Sequence, residues 1–406
     1  MLAGLCYNAC STGGWRLRGR RPGDGKEDGM CRVWFHIARK LNGGSVGVCI
    51  ACLISTFLTP LARADTILDA VNKVSTDQYR TYEIAVENMG LGLYGGPAYN
   101  QGYRNRDGWA DGGTLGNQEA RLYLTDQFSL MGLDVSIQGI YRNVVAEWPG
   151  VQTPQEIYIL CAHYDSTAGG ERPGGDDNAS GTAGVLEAAR VLTQYRFKST
   201  LRFIAFNAEE DWMRGSQEYV SALPRDANIV GVINLDMILR PAWDGDARQP
   251  ADLDLETLNV PHCTAWVKTF VDAAAVYAAS LVIDPNSHYP IRWDAGDQGP
   301  FISAGYAAFS ATENTAQEIW YGRSNAYYHS TQDASDALAN DPFSPSGVTY
   351  DYDFAAAVVK ATVATLAMRA VRVSPPDPNE DEKKILPADG PIEANNDTEA
   401  RSGKRP

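Results

Sequence analysis

Cysteine is scarce where this sequence can fold. Only Cys161 and Cys263 lie beyond residue 64, and no C-x-x-C pair occurs among the residues that follow it. That excludes a thiolate metal centre and a disulfide-dense scaffold. A Cys161–Cys263 bridge and two free thiols are both open readings, although Cys161 stands inside an apolar run of the kind that buries a free thiol. Histidine is nearly as rare, five in 406 residues, so each one that falls in a motif carries weight. Positive charge is also short, with 35 Lys and Arg against 50 Asp and Glu, a net charge of −15 and a pI near 4.8. An acidic chain without a basic patch argues against a nucleic-acid partner and for a soluble, self-repelling surface. Long apolar runs are missing too. The stretch from Val46 to Leu58 is shorter than the roughly 20 residues a spanning helix needs, and it contains Ser55 and Thr56.

That stretch has the setting of an export signal. Arg32, His36, Arg39 and Lys40 precede it, and Ala62-Arg63-Ala64 follows as an A-x-A cleavage site before Asp65. Residues 1–64 are therefore expected to be a leader, with translation starting at Met30 and residues 1–29 an upstream extension. The product is expected to be secreted or periplasmic, with no stable membrane anchor after cleavage. Residues 374–406 begin Ser374-Pro375-Pro376-Asp377-Pro378 and carry mixed charges and no aromatic residue. Such a composition cannot bury enough apolar surface to offset its ordering entropy, so a disordered tail is expected there. Residues 65–373 are left for a single large domain.

Within that domain two periods alternate. Helical spacing is found over Thr66–Glu87, Gly116–Leu133, Gly181–Tyr195, Ser216–Ala222, Cys263–Ala279 and Val348–Val371. Short β-branched or apolar runs, bounded by turn residues, read as strands over Asn143–Glu147, Ile157–Cys161, Leu201–Phe206, Ile229–Leu235, Ser280–Ile283 and Tyr306–Ser310. The rhythm implies an α/β fold, a mixed, largely parallel central sheet flanked by helices. The Gly-, Tyr- and Asn-rich stretch from Met89 to Gly113 follows neither period.

Five stretches carry the chemistry: Ala162-His163-Tyr164-Asp165, Gly174-Gly175-Asp176-Asp177-Asn178-Ala179-Ser180-Gly181, Ala208-Glu209-Glu210, Asn234-Leu235-Asp236-Met237 and Tyr328-His329-Ser330-Thr331-Gln332-Asp333. Each has an ordinary reading: a polar strand end, a turn with a helix cap, two solvated carboxylates, a buried acid, a polar loop. Their order is what sets them apart. Three of them follow successive strands and so fall at the carboxyl edge, where open α/β sheets bind ligands. Together they offer imidazole nitrogen and carboxylate oxygen in the mixture a pair of zinc ions takes, with one carboxylate to spare. Asp165, two residues past His163, has the placement of a carboxylate that fixes the imidazole tautomer. Adjacent Glu209 and Glu210 diverge in an extended segment, so one can hold a metal while the other faces a water. His262 and His288 match no motif.

These stretches resemble metallopeptidase family 28, the di-zinc exopeptidases that include secreted bacterial leucine-type aminopeptidases. The likeness runs from the Asn143 strand to the Val371 helix. It implies that two Zn²⁺ ions are held by His163 and Asp236 on one side and by Glu210 and His329 on the other, with Asp177 bridging them. Glu209 would be the general base acting on a bridging water, and the substrate a peptide with a free amino terminus. Where many relatives carry an Asp-His pair, Asp297 is followed here by Gln298, so no side-chain preference carries over. Tyr306, Phe309, Trp320 and Tyr321 could wall an apolar pocket. Three alternatives stay open: a single-zinc glutaminyl cyclase, a carboxypeptidase using Arg292 or Arg323, and a non-catalytic binding ectodomain on the same fold.

Overall fold

A computed structural model of the protein describes residues 67–240, 252–284, 294–315, 327–335 and 350–373. The expected leader and tail, and also His288, Arg292, Trp320, Tyr321 and Arg323, lie outside the described residues.

Ser75 interrupts what the apolar spacing predicts as one helix from Thr66. A single helical turn over 67–71 ends, and α1 (Thr76–Glu87) restarts with the Ser75 hydroxyl accepting from the Gln78 amide at 3.2 Å. Ser75 and Gln78 are the first and last positions of a capping-box pattern, a signal present in the sequence. Then follow α2 (Leu115–Leu130), β1 (Asp134–Gln138), β2 (Asn143–Trp148), β3 (Thr153–His163), α3 (Gly181–Leu192), β4 (Arg196–Phe197), β5 (Ser199–Phe206), α4 (Arg214–Ser221) and β6 (Asn228–Leu235). Next come β7 (Asp254–Glu256), α5 (Pro261–Tyr277), α6 (Gln298–Ser303), β8 (Ala308–Thr312), α7 (Tyr352–Arg369) and β9 (Arg372–Val373), the last pairing with β4.

The seven-stranded sheet has the order β1-β2-β5-β3-β6-β8-β7 among the described residues. Its centre, β5-β3-β6-β8, is parallel, while β1, β2 and β7 run antiparallel at the edges. This is the mixed, largely parallel sheet expected. Parallel strands need cover on both faces, and β3 shows why its run is continuously apolar. Leu160 and Ala162 join the larger core with α1, α2, α3, α5 and α7, while Ile159 and Cys161 join a smaller one with Tyr219 of α4 and Phe301 of α6.

Some expectations are corrected. The strand at Ser280–Ile283 shrinks to an isolated bridge between Leu253 and Ile283. Phe309 packs on Phe270 and Trp266 beneath α5, and Tyr306 packs edge-on to Phe301, so both are core and not pocket wall. Cys161 and Cys263 are buried free thiols.

The stretch from Met89 to Gly113 holds one 3-10 turn, Pro97–Tyr99, and is organised by two buried charges instead. Glu119 on α2 accepts from the amides of Gly90 (2.7 Å), Gly92 (3.3 Å), Tyr94 (2.7 Å) and Gly95 (3.1 Å). Arg106 is the second.

Candidate metal centre

Parallel pairing places the ends of three strands side by side. His163 is the last residue of β3 and is paired with Phe206, the last of β5, while β6 ends at Leu235, just before Asp236. Glu209 and Glu210 come three and four residues beyond β5. Asp177 lies in the tight turn Gly175–Ser180 between β3 and α3, and His329 on the segment 327–335. All five expected ligands and Glu209 meet in one cavity of about 520 Å³.

Two donor groups emerge there. His163, Asp177 and Asp236 form one, and Asp177, Glu210 and His329 the other, each with its atoms within 4.8 Å of one another. Nε2 of His163 lies 3.3 Å from Asp177 Oδ1 and 3.4 Å from Asp236 Oδ1. Nε2 of His329 lies 3.1 Å from Asp177 Oδ2 and 2.9 Å from Glu210 Oε2. Asp177 thus turns one oxygen to each group. Glu209 belongs to neither, and its Oε2 is 4.0 Å from His163 Nε2.

Asp165 accepts from the backbone amides of Glu209 and Glu210, both at 3.2 Å, and its Oδ1 faces His163 Nδ1 at 3.5 Å. One carboxylate therefore ties the two glutamates to the strand that carries His163. Asp333, the last residue of the His329 stretch, accepts from the Asp176 amide at 3.0 Å and the Asp177 amide at 3.1 Å, and from the Tyr350 hydroxyl at 2.7 Å.

The electrostatics are those of a site short of positive charge. Burial pushes Glu210 up to about 8, with Asp177 adding to it, and pushes Asp297 up to about 7. Glu209 also rises well above the ordinary carboxylate value, burial first and the His163 charge opposing. Burial alone would lower His329, but Asp177 and Glu210 carry it to about 10. Glu210 Oε1 and His329 Nε2 are buried without an oriented hydrogen bond. Imidazole nitrogens that converge with carboxylates crowded against one another are the donor set of a borderline divalent cation such as zinc.

Sequence reading missed Arg106. It is fully buried and donates from Nε to the Tyr164 carbonyl (2.8 Å), from Nη1 to the carbonyls of Val86 (3.1 Å) and Pro173, and from Nη2 to Gly174 (2.9 Å). Tyr164 sits between His163 and Asp165, and Gly174 opens the Asp177 turn, so one guanidinium fixes both carriers. Burial lowers its pKa, while Asp165, Glu87, Asp333 and Asp177 oppose the shift. No motif marks it, because its partners are main-chain carbonyls.

The sequence profile described as peptidase family M28 matches residues 143–353, just over half of the chain. The chain belongs to peptidase family M28. A probable zinc metalloprotease of Pyrenophora tritici-repentis is 26% identical over 301 residues, covering 61% of this chain and 58% of that protein. The chain thus spans little more than half the length of this relative. Among solved structures, the LapA aminopeptidase of Legionella pneumophila aligns with a TM-score of 0.58 at 18% identity, over 77% of this chain and 76% of its own. The glutaminyl cyclase of Porphyromonas gingivalis aligns with a TM-score of 0.56 at 17% identity, over 73% of this chain and 99% of its own. The fold is thus common to an aminopeptidase and a glutaminyl cyclase, and it does not choose between them.

Backbone strain gathers around the family site. Ala208, Trp212, Met213, Met237 and His329 are non-glycine residues with φ between 55° and 66°; all but Ala208 line the cavity, and Ala208 directly precedes Glu209. Left-handed backbone at such residues is uncommon, and clusters of it mark functional sites. Gln298, which follows Asp297, accepts from Asn234 at 3.3 Å and does not line the cavity.

Proposed function

We propose that this protein is a zinc aminopeptidase that hydrolyses the amino-terminal peptide bond of a peptide, using two zinc ions and a glutamate base. The observation that carries the reading is the sharing of Asp177: five donors make two three-membered groups only because one carboxylate turns an oxygen to each. His163, Asp177 and Asp236 would hold one zinc, and Asp177, Glu210 and His329 the other. When bound, the ions supply Lewis acidity, lowering the pKa of a water toward neutrality and polarising the scissile carbonyl. Glu209, outside both donor groups, takes the proton of the attacking water at its carboxylate and returns it to the leaving amine. Asp165 keeps Glu209 and Glu210 in their divergent orientations through their two amides. Asp333 holds the Asp177 backbone in place. The carboxylates that line the cavity supply the negative field that attracts a free α-amine.

We extend the reading to export. The basic flank, short apolar stretch and Ala62-Arg63-Ala64 site support a secreted or periplasmic product that begins at Asp65.

The test starts from metal-free protein titrated with zinc by calorimetry. Two zinc ions per chain are expected, and a single one at saturation would favour the one-zinc cyclase instead. Amino-acid p-nitroanilides with free amines should be cleaved, and amino-blocked and γ-glutamyl controls left intact.

A further inference from the structure

Trp212 stands out because it is costly where it is. The residue is 73% exposed, so it contributes little to the core, and its φ of 66° is a conformation glycine adopts freely and tryptophan does not. Met213 follows with φ 56°. The turn that carries them is closed on both sides, by Met213 N to Glu209 O at 2.7 Å and Arg214 N to Ala208 O at 2.9 Å. The Gln217 amide group also donates to the Trp212 carbonyl at 2.8 Å. This turn begins at the proposed base itself. The backbone that carries the indole is therefore held in place at the cavity, two residues from Glu210, with Met213 and Met237 also lining it.

We infer that Trp212 is a substrate-contacting residue, an aromatic ledge that selects an apolar side chain beside the scissile bond. Exposed tryptophan on a rigid, strained turn is poor for stability, while a flat apolar surface with low conformational freedom suits recognition of an aliphatic or aromatic group. Covering the indole with such a side chain removes both from water at the moment of binding. The inference rests on the aminopeptidase reading for the reaction, but not for the contact.

Two readouts separate them. The first is equilibrium binding, by calorimetry on the zinc-loaded protein, of L-leucinol and L-alaninol, free amines that cannot be hydrolysed. The second is the ratio of kcat/KM for leucine and alanine p-nitroanilides. Trp212→Gly should lower both leucine-over-alanine ratios by roughly tenfold, the order of discrimination an apolar contact provides. Trp212→Phe should restore most of it. Zinc content should be unchanged in either variant, and Trp212→Gly should melt above Trp212→Ala, since glycine relieves the left-handed backbone and alanine does not. Trp212-dependent leucinol binding without turnover would uphold the ledge and sink the aminopeptidase reading. Equal ratios in wild type and Trp212→Gly, or no leucinol binding to the wild type, overturn the ledge.

Discussion

His163 and His329 occupy corresponding places in the two donor groups, yet the chain holds them in different ways. His163 ends a central strand and is 1% exposed, with Asp165 facing its second nitrogen. His329 lies on a loop segment, is 35% exposed, has φ 55° and stacks on Tyr328 with ring centroids 3.7 Å apart. One imidazole is fixed by the sheet. The other is fixed by a neighbouring ring and by what binds. A site built this way should load its metals unequally, the strand side first.

Asp177→Ala breaks the comparison outright, since it removes the one carboxylate common to both groups. We expect loss of both zinc sites and of all measurable hydrolysis, with stoichiometry from elemental analysis as the check. Retention of one full-strength site would show that Asp177 is not shared.

Glu209→Gln and Glu210→Gln come next. The first should keep two zincs and lose kcat by about 10²–10⁴-fold, the usual contribution of a general base. The second should deplete the His329 side, because a neutral amide replaces a ligating carboxylate poorly. The reverse pattern of metal loss would exchange their roles.

The histidines sharpen the comparison directly. His329→Ala should leave one zinc bound with near wild-type affinity, while His163→Ala should damage the tighter site. Stepwise zinc titration of the two variants distinguishes them, and equal residual affinities would remove the asymmetry.

Arg106→Met tests whether the two carriers are clamped together. It leaves buried carbonyls without donors, and we expect about 3 kcal/mol of destabilisation by denaturant unfolding together with weaker zinc binding at both sites.

The smallest effect concerns the anchor behind the His329 segment. Glu87 receives the Ser335 amide at 2.8 Å, and buried Glu83 beside it receives the Tyr352 hydroxyl at 2.9 Å. Burial, with Glu87 adding to it, raises Glu83 well above its ordinary value. The folded protein then holds a proton that the unfolded chain releases, so this group's stabilisation is complete below about 4.5, the ordinary value, and is lost as pH rises toward the raised folded value. Glu83→Gln should flatten that decline in melting temperature measured between pH 5 and pH 8.

The legible parts of the chain were those whose side chains face a continuous core. Strands β3, β5 and β6 and helices α3, α5 and α7 follow from apolar period, and the three strand ends place His163, the Glu pair and Asp236 at one edge. Short edge strands resisted. β1 alternates Asp134, Ser136 and Gln138 with half-buried or exposed neighbours, and β7 is three residues long, so neither carries a recognisable run. His329 was readable only as a motif, because no regular element carries it. Arg106 gave no signal of function because its partners are main-chain carbonyls, and Asp333 was legible only as the end of the His329 stretch.

Glu119 shows where such recognition leads. Its carboxylate gathers four amides of the segment from Gly90 to Gly95 and reads none of their side chains. Mutational pressure on that segment and on its anchor should therefore diverge. Side chains along the loop can drift wherever the backbone torsions tolerate them, while a change at the single acid releases the whole stretch. A saturation scan should record a tolerant loop beside an intolerant residue some thirty positions downstream.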